Sequence, residues 1–267
     1  MQEKFIHILT ISYCIIESNM YAKKLKIASI IVTYNRVEEA KAQMDIIREL
    51  WQPMFESVDI YHEFNGEKLW HPQKYKEDFL HRHKPMPHFV GANHMLNQGI
   101  KHVLESGNKY DYIIASSADV WFYDPKKIKE VILKCHKKQS QLATSLWFGV
   151  ILSTEFFIIT PNLAKRVFPL HFTNIINKYK PLKWAYSKVS IFENIFTLQV
   201  MRMLKNPAKI YLIPGRRTIW PQNRYSSANF YASHHDRNQR KRDISIKMKD
   251  ILGNKIKNMP SLTKFLS

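Results

Sequence analysis

Residues 111–125 read DYIIASSADVWFYDP, and this stretch limits the possible fold more than any other. Tyr112 to Ala115 form a short apolar run of the kind that is buried as a strand. The run closes on Ser116, Ser117, Ala118 and Asp119. Three more apolar residues follow, and Asp124-Pro125 then offers an N-cap and a first helical residue. Open α/β sheets bind their ligands beyond the carboxyl ends of the strands. Burial of the strand would hold Asp119 rigidly at such an end. A rigid acid suits a divalent metal, which takes oxygen ligands and can bridge a diphosphate.

The same alternation surrounds that stretch. IASIIVT at 27–33 is a β-branched run suited to a strand buried on both faces, and Tyr34-Asn35-Arg36 turns the chain. Ala40, Met44, Ile47 and Trp51 then recur at helical spacing. VDIYHEF at 58–64 reads as a second strand, closed by Asn65-Gly66. Residues 67–88 show no period and read as a loop excursion. His81 and His83 with Lys84 there suit either a metal patch or a solvated loop, the loop being the simpler account. Leu96, Ile100, Val103 and Leu104 give the next helix an apolar face, with Asn93 as its N-cap and Gly107 beyond its end. Ile128, Val131, Ile132 and Cys135 do the same after Pro125. Strand, helix, strand, helix, strand, helix in this order predicts a parallel sheet with right-handed crossovers. LATSLWFGVIL at 142–152 and EFFIIT at 155–160 are two close strands, so the sheet is expected to turn partly antiparallel. A helix from Pro161, a second over 190–204 and a last strand over 209–214 complete the domain.

These residues resemble the nucleotide-sugar glycosyltransferases of the GT-A fold, nearest to family 2-like enzymes. The resemblance covers the order of elements from Lys26 to Asp236. It implies a single Rossmann-like domain over 26–240, with a mixed, mainly parallel sheet flanked by helices. In the family the metal motif is Asp-x-Asp at the end of an apolar strand; here Ser117-Ala118-Asp119 stands there, with the first acid missing. The resemblance implies that Asp119 meets Mn2+ or Mg2+ on the donor diphosphate, beside Ser117 and Ala118. It puts Thr33, Tyr34 and Arg36 of the first turn against the donor. The acid usual before the second turn is replaced by Phe64, leaving Glu63 and Asn65 as substitutes. GANHMLNQGI resembles the family's glycine-then-asparagine helix and places Asn97 near the donor. Trp147 and Phe148 would lie on the acceptor side. Glu193-Asn194 stands where the family has an acidic pair, which implies Glu193 as the base for the acceptor hydroxyl and inversion at the anomeric carbon. The late histidines His234 and His235 would complete the metal site, with Arg216 and Arg217 on phosphate oxygens, whose geometry arginine forks match. Each position also has a plainer reading. Ser190 and Glu193 fit a capping box, and the late basic segment fits an exposed loop.

The formal charge is +19 with a pI near 9.8, which implies an anionic partner: a nucleotide diphosphate, a phospholipid surface or nucleic acid. No nucleic-acid module is recognisable, which leaves nucleic acid as the weaker alternative. A sugar nucleotidyltransferase would need a glycine-rich basic loop in place of Tyr34-Asn35-Arg36-Val37. The missing acids admit a catalytically inactive sugar- or nucleotide-binding relative. Cys14 and Cys135 have no metal spacing and suit a reducing compartment. The apolar run Phe5 to Ile16 is too short to span a bilayer, so residues 1–25 read as an extension and the protein as cytoplasmic. The tail 241–267 alternates Ile244, Ile246, Met248, Ile251, Leu252 and Ile256 with lysines. It suits peripheral attachment to an anionic membrane, as for a lipid-linked glycan acceptor, or equally a helix packed on the domain.

Overall fold

The structure, a computed structural model, describes residues 24–86, 88–147, 151–170, 191–213, 232–234 and 249–266. Strands β1 (Lys26–Thr33), β2 (Ser57–Phe64), β3 (Phe79–Arg82), β4 (Tyr112–Ser117), β6 (Leu142–Trp147), β7 (Ile151–Ile159) and β8 (Ile210–Leu212) form one sheet, in the order β3-β2-β1-β4-β7-β6-β8. β1 pairs in parallel with β2 and β4, β2 with β3, and β6 with β8. β7 is antiparallel to both its neighbours. The mixed, mainly parallel sheet expected from the sequence is therefore the one observed. β5 (Val120–Phe122) pairs instead with β9 (Ala232–His234) in a separate two-stranded ribbon.

Alternation along β1 assigns the two layers. Ile27 and Ile31 enter one core with Met44, Ile47 and Trp51 of α1 (Val37–Ile46) and the widened turn that continues it, and with Ile128 and Ile132 of α3 (Pro125–Lys137). Ala28 and Ile30 enter the other with Leu96 and Ile100 of α2 (His88–Glu105), Leu163 of α4 (Pro161–Val167) and Phe196 of α5 (Ile191–Leu204). A strand apolar on both faces is what this three-layer packing needs. Local signals act as their chemistry dictates. The Asp124 carboxylate accepts from the amides of Lys126 and Lys127 at the start of α3, and Gly107 closes α2 at φ +79°.

Three expectations need correction. The excursion after Asn65 contains β3, a four-residue strand at the sheet edge. Its residues are half-exposed or exposed and carry no alternating pattern, so periodicity had nothing to detect. Ile151 and Leu152 belong to the second of the two later strands and not to the first, because they pair with Trp147 and Leu146 of β6. Asn93 is no N-cap: α2 starts at His88, and Asn93 is buried five residues inside it. The tail's two readings also divide. Leu252, Met259 and Leu262 join the α1 core, Leu262 from α6 (Pro260–Leu266), so the described part of the tail uses apolar side chains against the domain.

Candidate active site

The carboxyl ends of β1, β2 and β4 lie together, since Val32 pairs with both Glu63 and Ser117. Two turns leave from this edge. The β1 turn carries Arg36 and the β4 turn carries Asp119, and Nη1 of Arg36 donates to Oδ2 of Asp119 at 2.6 Å. Asp119 is nearly buried, whereas about a third of the Arg36 side chain remains accessible. The pair is a cation and an acid, 83 residues apart in sequence, brought together at the ligand-binding edge of an α/β sheet. Burial raises the carboxyl of nearby Glu39 above its ordinary range, against the opposing pull of its backbone hydrogen bond and Arg36. Ala118 is fixed by its amide donating to the Val32 carbonyl.

The other first-turn residues are held tightly. The Thr33 hydroxyl shares a 3.1 Å hydrogen bond with Nε2 of His62, and the Tyr34 ring meets Trp70 edge-on at 5.7 Å. Gly66 brings the end of β2 against this turn: a Cβ there would lie 2.1 Å from the Tyr34 carbonyl oxygen. Asn65 is buried, and neither its Oδ1 nor its Nδ2 has a hydrogen-bond partner among the described residues. Gly91 of α2 packs on that amide, where a Cβ would come within 1.9 Å of Nδ2.

Glu193 lies in the first turn of α5, buried, with Oε1 accepting from the Thr154 hydroxyl at 2.9 Å. Thr154 precedes Phe156, the partner of Ser116 on β4. The antiparallel run therefore places Thr154 toward the edge where Ser117 and Asp119 lie. Trp147 ends β6 at the same edge, opposite Ile151. His234 is placed by its backbone: it pairs with Val120, the residue after Asp119. Arg216, Arg217, His235, Phe148 and the Ser190 half of the capping box lie outside the described residues.

Two candidates are committed elsewhere. Asn97 donates to the carbonyl of Leu170 and accepts from its amide at 2.8 Å, so it clamps the chain after α4. Glu63 turns to the α2 layer, where its carboxylate accepts from His81, His83 and His102. Burial raises the Glu63 carboxyl, but the three histidine hydrogen bonds outweigh it and hold the group well below its usual range. His81 and His83 are thus bound to a buried acid rather than forming a solvated loop. His102 and Thr154 were invisible to sequence reasoning, because neither sits in a motif with the acid it serves.

Asp119 is one carboxylate, with Ser117 where a second acid would stand. That donor set suits a Mg2+ or Mn2+ ion that keeps waters and is bridged by substrate phosphates, rather than an all-protein cage.

Neither protein-family models nor curated proteins match this sequence. Among solved structures the chain is similar to the mannosyltransferase PcManGT from Pyrobaculum calidifontis in complex with GDP-Man and Mn2+, at 10% identity and a TM-score of 0.49, over 91% of this chain and 74% of that one. It is also similar to glucosyl-3-phosphoglycerate synthase from Mycobacterium tuberculosis in complex with Mg2+ and uridine diphosphate, at 9% identity and 0.48, over 90% and 82%. A third is the galactosyltransferase LgtC in complex with donor and acceptor sugar analogs, at 10% and 0.44, over 85% and 95%. The sheet itself, turning antiparallel at β7 after the Asp119 stretch, is the mixed, mainly parallel one expected from the sequence.

Proposed function

We propose that this chain transfers a sugar from a nucleotide-diphosphate donor to an acceptor hydroxyl on a glycan or lipid-linked glycan. The observation that carries the reading is the Arg36–Asp119 pair at the carboxyl edge of β1 and β4, with Glu193 held by Thr154 on the strand beside β4. The partly accessible Arg36 side chain would engage diphosphate oxygens with its planar fork, while Thr33 and Tyr34 line the first turn. Arg216 and Arg217 are candidates for the remaining phosphate oxygens. Mg2+ or Mn2+ arriving with the donor would be held by Asp119, with His234 and His235 as further candidates, and would stabilise charge on the leaving diphosphate.

Glu193 would take the proton of the acceptor hydroxyl as that oxygen attacks the anomeric carbon from the face opposite the diphosphate. The bond to the diphosphate breaks as the new glycosidic bond forms, and configuration inverts. Trp147 would border the acceptor.

One observation favours a second reading. With Ser117 in place of an acid and Arg36 on Asp119, the site also suits a relative that binds nucleotide-sugar without turning it over. Thermal-shift measurements against UDP-, GDP-, CDP- and dTDP-sugars, with and without Mn2+, test both, since a ligand of the folded state raises Tm by mass action. Stabilisation together with nucleoside diphosphate release on adding acceptor is the expected result. Stabilisation without release selects the binding relative, and no stabilisation by any donor removes the assignment.

A further inference from the structure

The histidine cluster on Glu63 lies apart from Asp119. β1 runs between them, and Glu63 faces the α2 layer along with Tyr61, two residues earlier. The Glu63 side chain is completely buried. Its Oε1 lies 2.9 Å from Nδ1 of His81 and 2.9 Å from Nδ1 of His102, and its Oε2 lies 2.6 Å from Nε2 of His83. Among the described residues its ion-pair partners are these histidines, with no lysine or arginine. A buried carboxylate requires compensating charge as well as hydrogen bonds. Neutral imidazoles supply only the second.

A divalent cation supplies the charge and takes the carboxylate by coordination in place of hydrogen bonds. Ligand atoms of Glu63, His81 and His102 all lie within 4.8 Å of one another, and they come from three elements: β2, β3 and α2. Metal bonds of about 2.0–2.1 Å put tetrahedral ligands roughly 3.3 Å apart. The observed 2.9 Å separations therefore need to open by only a few tenths of an ångström. Imidazole with carboxylate suits zinc and its transition-metal neighbours better than magnesium or calcium. The His81 and His102 side chains are 31% and 27% exposed, so an ion can enter from solvent.

We propose that Glu63, His81 and His102 bind one zinc-class divalent cation, and that the ion fastens edge strand β3 to α2. His83 is a positioning residue. Its hydrogen bond to Oε2 orients the carboxylate, as partners in the outer shell of metal centres do. Three protein ligands leave a fourth position for water. Among the described residues β3 otherwise pairs with β2 alone, so the cation would secure an exposed edge.

The test uses the untagged full chain, stripped with a chelator, dialysed against Zn2+ and analysed for metal, with Co2+ absorption as a report on ligand geometry. One equivalent of tightly held Zn2+ is expected in the wild type and equally in Asp119→Asn, with tetrahedral Co2+ bands. The double variant His81→Gln/His102→Gln should lose it, and chelation should lower the Tm of the wild type but not of the double variant. His83→Gln keeps all three ligands and serves if the double variant does not fold; it should weaken Zn2+ by about 10–100-fold. A wild type that holds no Zn2+ or Co2+ overturns the proposal, leaving an imidazole–carboxylate cluster only. Retention of the ion by the double variant, or its loss in Asp119→Asn, also overturns it. These outcomes are independent of whether nucleotide-sugars bind.

Discussion

Glu193 is the residue on which the proposed chemistry turns, and its surroundings allow its roles to be separated. A glutamine has the same shape and can still accept from Thr154, but it cannot take the acceptor's proton. Glu193→Gln should therefore melt near the wild-type temperature and bind donor normally, while sugar transfer falls by roughly two to four orders of magnitude. Transfer at the wild-type rate would leave Glu193 a structural residue. Thr154→Val removes the hydroxyl that donates to Oε1 and tests positioning. A hydrogen bond to a charged group is worth about 1.5–3 kcal/mol, so kcat should drop about tenfold or more with the donor affinity unchanged. The Arg36–Asp119 pair makes a different demand. Asp119→Asn should weaken donor binding in a calorimetric titration while the fold survives, since Asp119 sits in a turn and not in a strand. Equal affinity in mutant and wild type would remove it from the site. Cys135 marks the contrast with such functional groups: burial pushes its thiol up to about 12, and it is 1% exposed in the α3 core. Peptide-resolved alkylation at neutral pH should find it inert until the protein unfolds.

At the level of elements, α6 shows why the tail could not be placed from sequence alone. An apolar stripe with lysines on its other side is the same pattern whether its partner is a membrane or a helix. What decides it here is Asp45 of α1. Its side chain is completely buried, and Oδ2 accepts from the amides of Ser261 and Leu262 at the start of α6, while Oδ1 meets Tyr75 and Lys76. One acid thus joins α1, the excursion after β2 and the C-terminal helix. Leu262→Ala should cost about 2–5 kcal/mol, the usual loss for a buried leucine. Asp45→Ala should cost about 1–3 kcal/mol by leaving the Ser261 and Leu262 amides without an acceptor. Urea denaturation measures both, and a loss near zero would mean that α6 is not docked in solution. The same contrast explains what else was legible. β1, β4 and α3 announce themselves, because a doubly buried strand must be continuously apolar and Asp124-Pro125 is a local signal. β3 and the Glu63 histidines depend on contacts between residues 18 to 39 positions apart, which no local period encodes. The candidate site divides in the same way. Arg36, Asp119 and Glu193 lie at strand ends and a helix start, where a motif can point to them, whereas Asn97, which the resemblance puts near the donor, clamps Leu170.

For the whole molecule the governing quantity is the net charge of +19, far beyond what one diphosphate would neutralise. A surface so basic attracts extended anions, and the packed tail leaves lysines outward: Lys249, Lys255 and Lys257 before α6 and Lys264 within it are all exposed. Ile251 beside them is 40% exposed, so a little apolar surface remains at this face. If the acceptor is lipid-linked, these lysines are suited to hold the protein at an anionic bilayer. Binding to vesicles containing anionic lipid is therefore expected, and it should fade as salt rises, since the screening length shrinks from about 30 Å at 0.01 M to about 10 Å at 0.1 M. Deleting the tail is a poor test, because it also strips Leu252, Met259 and Leu262 from the core and would confuse unfolding with loss of a membrane contact. Reversing Lys249, Lys255, Lys257 and Lys264 to glutamate leaves the buried side of α6 intact. The reversed protein should melt close to the wild type and lose co-sedimentation with anionic vesicles. Undiminished co-sedimentation would move the membrane contact to another basic surface of the molecule, and binding that ignores salt would show that attraction of charge does not drive it.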